Sequence, residues 1–435
     1  MKIEEAPKIS PKEVFKRLRE PLEPKLRELV DKCNADYEHW SKIKYIASEA
    51  GISPRDLWVA VVADRLVHQI NVWPNYNIHF SLSNRMQKLC HEFDMNFGGA
   101  WGNDSLIQNA HKERYLISSL MEEAISSSQM EGAAATRKVA KEMLRKKKAP
   151  KDRSQQMIHN NYQTIQFIVE NKDRDLTPEL LMQVQRLMTE HTLDNEEDAG
   201  RIRQDDKVVV MNELTGDIVH TPPSHTELPA FIDNLCLFFN KPDNDTLFIH
   251  PIIRAIIIHF MLAYAHPFAD GNGRTARALF YWYMLKRGYW LTEYLSISRI
   301  IYRAKTAYEK SFLYSESESN DIGYFIAFNL RVLELAFKEL QTYIARKNRE
   351  RVAAQQYLSI GNLNSRQAEI IKMFVDNPKT MLTVKDLQTR FKIAPTTAKS
   401  DLSGLLHAGF LTEIKLNKIK RGYVKSDKFD EKLKG

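Results

Sequence analysis

Residues 255–265 are apolar at every position except His259, and residues 276–285 are apolar again apart from Arg277. A helix that is apolar all round is buried on every side, so these runs predict two core helices joined by a short polar loop. Residues 113–132 carry a narrower stripe, Leu116, Ile117, Leu120, Met121, Ala124, Ile125 and Ser128, which predicts an amphipathic helix stopped by Gly132. Helical spacing recurs over 12–31, 54–69, 178–191, 227–240, 296–312, 321–343, 365–376, 383–391 and 398–406. Alternation is rare. Residues 72–80 read as a loop or an edge strand, and valine-rich runs at 207–211 and 217–221 read as a hairpin around residues 212–216. A second hairpin is expected from 409–414 and 422–424. The pattern is that of a mainly α protein with small hairpins.

The polar loop between the two apolar runs concentrates the chemistry. It reads His266-Pro267-Phe268-Ala269-Asp270-Gly271-Asn272-Gly273-Arg274-Thr275-Ala276-Arg277. Gly271 and Gly273 let the backbone approach a ligand closely, and the N–H groups that open the second helix form an anion site. Arg274 and Arg277 are three residues apart, so they share a helix face about 4.5 Å apart in rise. Two guanidiniums over such a nest suit a polyphosphate. Asp270 offers a hard oxygen to the Mg²⁺ that a polyphosphate carries. His266 has the free pKa of a general base near neutrality. Taken alone, a Gly-Asn-Gly turn with two arginines is also compatible with a plain helix-to-helix connection. His259, two turns before His266, reads as a core histidine.

The loop resembles the Fic family motif His-x-Phe-x-Asp/Glu-Gly-Asn-Gly-Arg-x-x-Arg at every fixed position. The resemblance implies a Fic-type helical core with a β-hairpin flap, and transfer of AMP from ATP to a Ser, Thr or Tyr hydroxyl of a protein. In that reading His266 is catalytic, Asp270 holds Mg²⁺, and Gly271, Asn272, Gly273, Arg274 and Arg277 bind the nucleotide. The run Ser127-Ser128-Gln129-Met130-Glu131-Gly132 resembles the family's inhibitory motif, Ser/Thr-x-x-x-Glu-Gly/Asn. Ser127, Glu131 and Gly132 are then inhibitory, with Glu131 paired to Arg277. Gly200 to Arg203 resembles the Gly-x-x-Arg segment that precedes the flap.

Charge adds a second theme. The net charge of +8 is uneven: residues 361–435 hold 15 Lys and Arg against 8 Asp and Glu, and the rest of the chain holds 48 against 47. With three helical patterns followed by a hairpin whose basic tip carries Lys415, Lys418, Lys420 and Arg421, this segment resembles a winged helix-turn-helix. It would present the helix beginning near Thr396 to double-stranded DNA; a winged-helix protein-interaction module has the same pattern. The expected organisation is a helical N-terminal region over 1–110, a Fic core over 111–345 with its inhibitory helix at 113–132, a connector over 346–360 and a winged helix over 361–435. Cys33, Cys90 and Cys236 are odd in number and far apart, which implies a reducing compartment. No apolar run is long enough to span a bilayer, and the first twelve residues are charged, so a cytoplasmic location is expected. Two further readings use the same residues: a DNA-binding regulator whose core senses nucleotide, and an enzyme that removes AMP with Glu131 orienting water.

Overall fold

The computed structural model describes residues 3–98, 109–211, 216–242, 247–355, 357–358, 360, 363–417 and 420–433. Most of the loop at 212–216 and Lys418, both singled out above, lie outside the described residues. The described chain forms two compact units, one built on residues before Lys338 (the start of the helix at 109 aside) and one from Lys338 on.

The larger unit begins with α1 (Pro11–Arg19), α2 (Pro24–Ala35), α3 (Trp40–Glu49) and α4 (Pro54–Val67). The helix expected over 12–31 is two helices, because Pro21 and Pro24 lack the N–H that would continue it. These helices close on Val30, Cys33, Ile43, Ala47, Leu57, Trp58 and Val61. The stretch at 72–80 is resolved as a hairpin, β1 (Gln69–Trp73) with β2 (Ile78–Ser81). Then come α5 (Asn84–Phe93), α6 (Asn109–Met130), α7 (Arg137–Arg145), α8 (Arg153–Glu170) and α9 (Pro178–Thr189). The stripe read on α6 is its packing face: Leu120, Met121, Ala124 and Ile125 pack with α7 and α8 residues such as Met143 and Ile158. The chain then forms β3 (Val210–Met211) and β4 (Ile218–His220), paired antiparallel with Val210 opposite His220.

After α10 (Leu228–Asn240), the two apolar runs are α11 (Pro251–Ala265) and α12 (Asn272–Lys286). Both are buried nearly all round, from Ile252 to Leu262 on α11 and from Arg274 to Leu285 on α12. Burying one such aliphatic side chain is worth about 1.5–3 kcal/mol, so this pair is the axle of the unit. His259 is fully buried with Nε2 2.9 Å from the Tyr308 hydroxyl, and burial pushes it down to about 3. It is a core histidine. The helix expected over 296–312 breaks at Ala304 into α13 (Ile297–Arg303) and α14 (Lys305–Ser317). α15 (Gly323–Gln355) runs on through most of the expected connector.

The smaller unit contains α16 (Ser365–Asp376), α17 (Val384–Phe391), α18 (Pro395–His407), the hairpin β5 (Leu411–Lys415) with β6 (Arg421–Lys425), and a last short helix, α19 (Phe429–Leu433), that the pattern did not reveal. Thr383 caps α17 in a capping box with Asp386. Ile370, Ile371, Phe374, Leu387, Leu402 and Phe429 form its core.

Candidate active site

The loop between α11 and α12 is fixed by its own side chains and by its neighbours. α11 ends because His266 is left-handed, with φ 44° and ψ 55°. Few non-glycine residues adopt this conformation. Arg203, buried, holds the strained residue from outside: its backbone N–H donates to the Pro267 carbonyl at 2.9 Å and its Nε to the His266 carbonyl at 3.1 Å. The Asn272 side chain closes the loop from inside. Its Nδ2 donates to the Phe268 carbonyl at 2.8 Å and its Oδ1 accepts the Phe268 N–H at 3.0 Å. That amide, read from sequence as a nucleotide contact, also braces the loop; the two bonds use one of its two N–H groups and one of its two oxygen lone pairs.

His266 Nδ1 lies 3.1 Å from the Ala263 carbonyl, which can only accept. Nδ1 therefore carries the proton and Nε2 keeps the lone pair that a general base needs. Burial lowers the His266 pKa; the Ala263 carbonyl and Glu131 oppose that, and His220 and Arg203 add to it. The imidazole is neutral at neutral pH.

Gly271 starts α12 at φ +83°, and a methyl there would come within 2.7 Å of Thr189 Cγ2. Glycine is required on both counts. Gln185, fully buried on α9, bridges two backbones: Nε2 donates to the Asp270 carbonyl at 3.0 Å and Oε1 accepts the Gly200 N–H at 2.5 Å. Arg274 is buried, with Nη1 donating to the Met188 carbonyl at 2.9 Å and Nη2 3.4 Å from Asp270 Oδ2. Its Nε is buried and has no hydrogen-bond partner among the described residues. Asp270 Oδ1 accepts the Gly271 N–H at 2.5 Å. Among the described residues no group of three His, Cys, Asp or Glu is gathered as a metal cluster.

The opposite wall is the C-terminal end of α6. Gly132 is left-handed, the Ala133 N–H donates to the Ser128 carbonyl at 3.0 Å, and the Gly132 N–H donates to the Gln129 carbonyl at 3.2 Å. This is a Schellman stop with Gly132 just past the helix end. It delivers Ser127 and Glu131, one turn apart, to α12. Arg277 Nε donates to Ser127 Oγ at 2.9 Å, and Nη2 donates to the Ser127 carbonyl at 3.0 Å and to Glu131 Oε1 at 2.9 Å. A methyl on Gly273 would collide with the same Glu131 carboxylate. Burial would raise Glu131, but the charge and hydrogen bond of Arg277, helped by Arg274 and His266, hold it below the ordinary carboxylate range. Arg277 is 2% exposed at its side chain and Glu131 33%, so the pair is buried on one side only. Two turns before Glu131, Glu123 is buried, its pKa raised by burial, and it accepts the Ser298 N–H at 3.0 Å.

The structure thus brings His266, Asp270, the Gly271–Gly273 backbone, Arg274, Arg277, Ser127 and Glu131 to one place. Three positioning residues escaped the sequence reading: Gln185, Thr189 and His220. His220, on β4, places Nε2 2.7 Å from the Tyr264 carbonyl and Nδ1 2.9 Å from Glu316 Oε2, tying the hairpin to the last turn of α11. A buried Gln in an amphipathic helix and a lone His in a short strand leave no period to detect.

The chain is similar to known proteins over part of its length. Residues 175–284, which include α9 to most of α12, match the Fic/DOC family. Over 70 residues the chain is 36% identical to the protein adenylyltransferase Fic of Drosophila melanogaster, a stretch of 16% of this chain and 14% of that protein. The counterpart in Drosophila grimshawi is 34% identical over 70 residues, again 14% of its length. The chain therefore spans only about a seventh of these relatives. A Fic family protein from Desulfovibrio desulfuricans G20 shares the fold, with a TM-score of 0.51 at 17% identity, covering 80% of this chain and 98% of that chain. No described helix is long and apolar enough to cross a membrane.

Proposed function

Given that the chain carries a Fic/DOC family domain in a Fic-type helical fold, we propose that it is a protein adenylyltransferase held back by its own Glu131. The observation that carries this reading is the Glu131 carboxylate: it lies against Gly273 and on Arg277, an anion in the place that a nucleotide's terminal phosphate would take. His266 Nε2 takes the proton of an incoming Ser, Thr or Tyr hydroxyl. The hydroxyl oxygen attacks the α-phosphorus of ATP in line, a new P–O bond forms, the α–β bridging bond breaks, and pyrophosphate leaves. The backbone N–H groups of Asn272 and Gly273, the Arg274 Nε and, once Glu131 leaves, Arg277 are the donors for the phosphates, so catalysis is mostly positioning and electrostatics.

Asp270 fits a magnesium ion. One oxygen is engaged by Gly271, the other has only a 3.4 Å contact with Arg274, and the side chain is 43% exposed. Mg²⁺ is commonly held by one or two carboxylates plus substrate phosphates, and when bound it would neutralise phosphate charge.

The test is intact-protein mass spectrometry after incubation with Mg-ATP, on the chain and on proteins of a lysate. Glu131→Gly should add AMP, and adding His266→Ala should lower the rate by about a hundredfold or more while nucleotide binding persists. Undiminished labelling after His266→Ala overturns the base assignment. If Glu131→Gly labels nothing, a core that only senses nucleotide becomes the better reading. Loss of AMP from a pre-labelled protein with wild type, but not with Glu131→Gly, would favour the reverse reaction.

For the smaller unit we propose a winged helix-turn-helix that binds duplex DNA. What supports it is the charge excess in residues 361–435 and an exposed row on α18, Thr396, Lys399, Ser400 and Ser403, together with exposed Lys415 and Lys420 on the hairpin. Binding should weaken steeply with salt and fall when Lys399 and Lys415 become Glu. No affinity for duplex DNA at low salt would leave a protein-binding winged helix.

A further inference from the structure

A cavity of about 740 Å³ lies in the larger unit between the segment at residues 5–9, α4, the β1–β2 hairpin and the turn from α14 to α15. Small-molecule sites span about 300–1,000 Å³. Part of its lining is apolar, from Pro7, Trp58, Val62 and Leu66, and the exposed Glu5 and Lys8 also line it. Its less exposed polar groups are chiefly Arg65, Glu318, Asp321 and Tyr324.

Nearly every one of these polar groups is already engaged. Arg65 donates from Nε to Asn34 Oδ1 at 2.8 Å, from Nη1 to the Tyr324 hydroxyl at 2.7 Å and from Nη2 to the Glu38 carbonyl at 2.8 Å. Its guanidinium also sits 4.1 Å from the Tyr37 ring centre. Asp321 accepts the Tyr37 hydroxyl at 2.7 and 2.9 Å on its two oxygens, and the Gly323 N–H at 3.0 Å. The exception is Glu318. Its half-buried carboxylate has no hydrogen bond or ion pair among the described residues, and it interacts only at a distance with Arg65 and Asp321. Burial first, then Asp321, push its pKa up to about 7 against the pull of Arg65. The turn that presents Glu318 is held in place: Ser319 and Asn320 are both left-handed, and Asn77 Nδ2 donates to the Ser319 carbonyl at 2.9 Å.

We propose that this cavity binds a small organic cation, an amine or guanidinium on a short apolar stem, with its charged head on the Glu318 carboxylate and its stem along Trp58 and Val62. An anion is disfavoured, because the buried cation, Arg65, already has an acceptor on each of its nitrogens and is stacked on Tyr37, and Glu318 would repel it. A cation supplies what the cavity lacks, a donor for a half-desolvated carboxylate, and such charge-assisted bonds are the stronger kind. The site is separate from the nucleotide loop and does not rest on its reading.

The experiment is calorimetric titration of the full chain with n-butylamine, with n-butanol as an uncharged control. n-Butylamine should bind and n-butanol should not. Glu318→Gln, nearly isosteric and uncharged, should weaken n-butylamine about tenfold or more. Val62→Phe, which fills the apolar part, should weaken it as well. Both variants should keep a cooperative unfolding transition. n-Butylamine binding that is absent in wild type, or equal in wild type and Glu318→Gln, overturns the proposal.

Discussion

Arg274 and Arg277 leave the same helix one turn apart, yet the two walls that receive them are built differently. On the α9 side the acceptors are mostly backbone: Arg274 holds the Met188 carbonyl, and Gln185 joins the Asp270 carbonyl to the Gly200 N–H. On the α6 side Arg277 is held by Ser127 and by one carboxylate, 33% exposed, at a helix end. A backbone acceptor cannot leave without undoing a helix. A carboxylate can be displaced by a phosphate of equal or greater charge. The α9 wall positions; the α6 wall can be exchanged.

The hardest test of that contrast is Gln185→Leu. It strands the half-buried Asp270 carbonyl and Gly200 N–H, and each unsatisfied group costs about 1–3 kcal/mol when buried. Stability in urea should drop by about 2–4 kcal/mol, and AMP labelling by about a hundredfold or more, because small misplacements of reacting groups are that costly. Glu131→Gly should not rescue it. A Gln185→Leu protein with near-normal labelling would mean that the α9 wall does not position the loop.

The next effect is opposite in sign. Glu131→Gly should raise AMP incorporation by about tenfold, the worth of roughly 1.4 kcal/mol of competition removed. Breaking a fully buried pair costs about 3–5 kcal/mol, but Arg277 retains both Ser127 acceptors and Glu131 is partly solvated. The stability loss should therefore be nearer 1 kcal/mol. Thermal stabilisation by Mg-ATP should be larger in the variant than in wild type. Adding Arg277→Ala should remove most of the gain, since both act at one site. Equal ATP stabilisation in the variant and wild type would show that Glu131 and nucleotide do not compete.

The contrast also explains what the sequence could and could not convey. The α11–loop–α12 unit was legible because its signals are local: apolar runs all round, two glycines, charges at fixed spacing. Ser127 and Glu131 were legible only beside the family motif, since a Glu at a helix end is usually solvated. Gln185 and His220 were illegible, because they bond backbone atoms 15–85 residues away, and Thr189 because it meets Gly271 only by packing. Asn272 was legible as a position in the loop, but only the fold shows that its amide also braces the loop on Phe268. The missed breaks at Pro21 and Ala304 differ in kind. The first is a proline that outweighs the apolar spacing; the second, at Ala304, has no residue-level cause that we can name.

Ser127→Ala removes one of three acceptors from Arg277 and leaves the carboxylate in place. A hydrogen bond to a charged group contributes about 1.5–3 kcal/mol at most, and Arg277 keeps two others. Labelling should rise, by less than in Glu131→Gly, with KM for ATP changing more than kcat. A rise as large as that of Glu131→Gly would place the restraint on the serine rather than on the carboxylate.

The smallest effect lies in the pH profile of the activated protein. Burial sets the His266 pKa below the ordinary 6.5, and Glu131 is one of the two groups that resist the shift. The base works unprotonated, so transfer is present above the folded pKa and is lost as pH falls through it. In Glu131→Gly the carboxylate that stabilises the imidazolium is gone, so its pKa should fall further; in Ser127→Ala the carboxylate remains. The acid limb of kcat/KM, which reports the free enzyme, should lie below 6.5 in both variants and lower in Glu131→Gly. The alkaline side says nothing about His266, because the imidazole is neutral throughout that range. Coincident acid limbs in the two variants would show that Glu131 does not reach the base electrostatically. The α6 wall would then act on the phosphate alone.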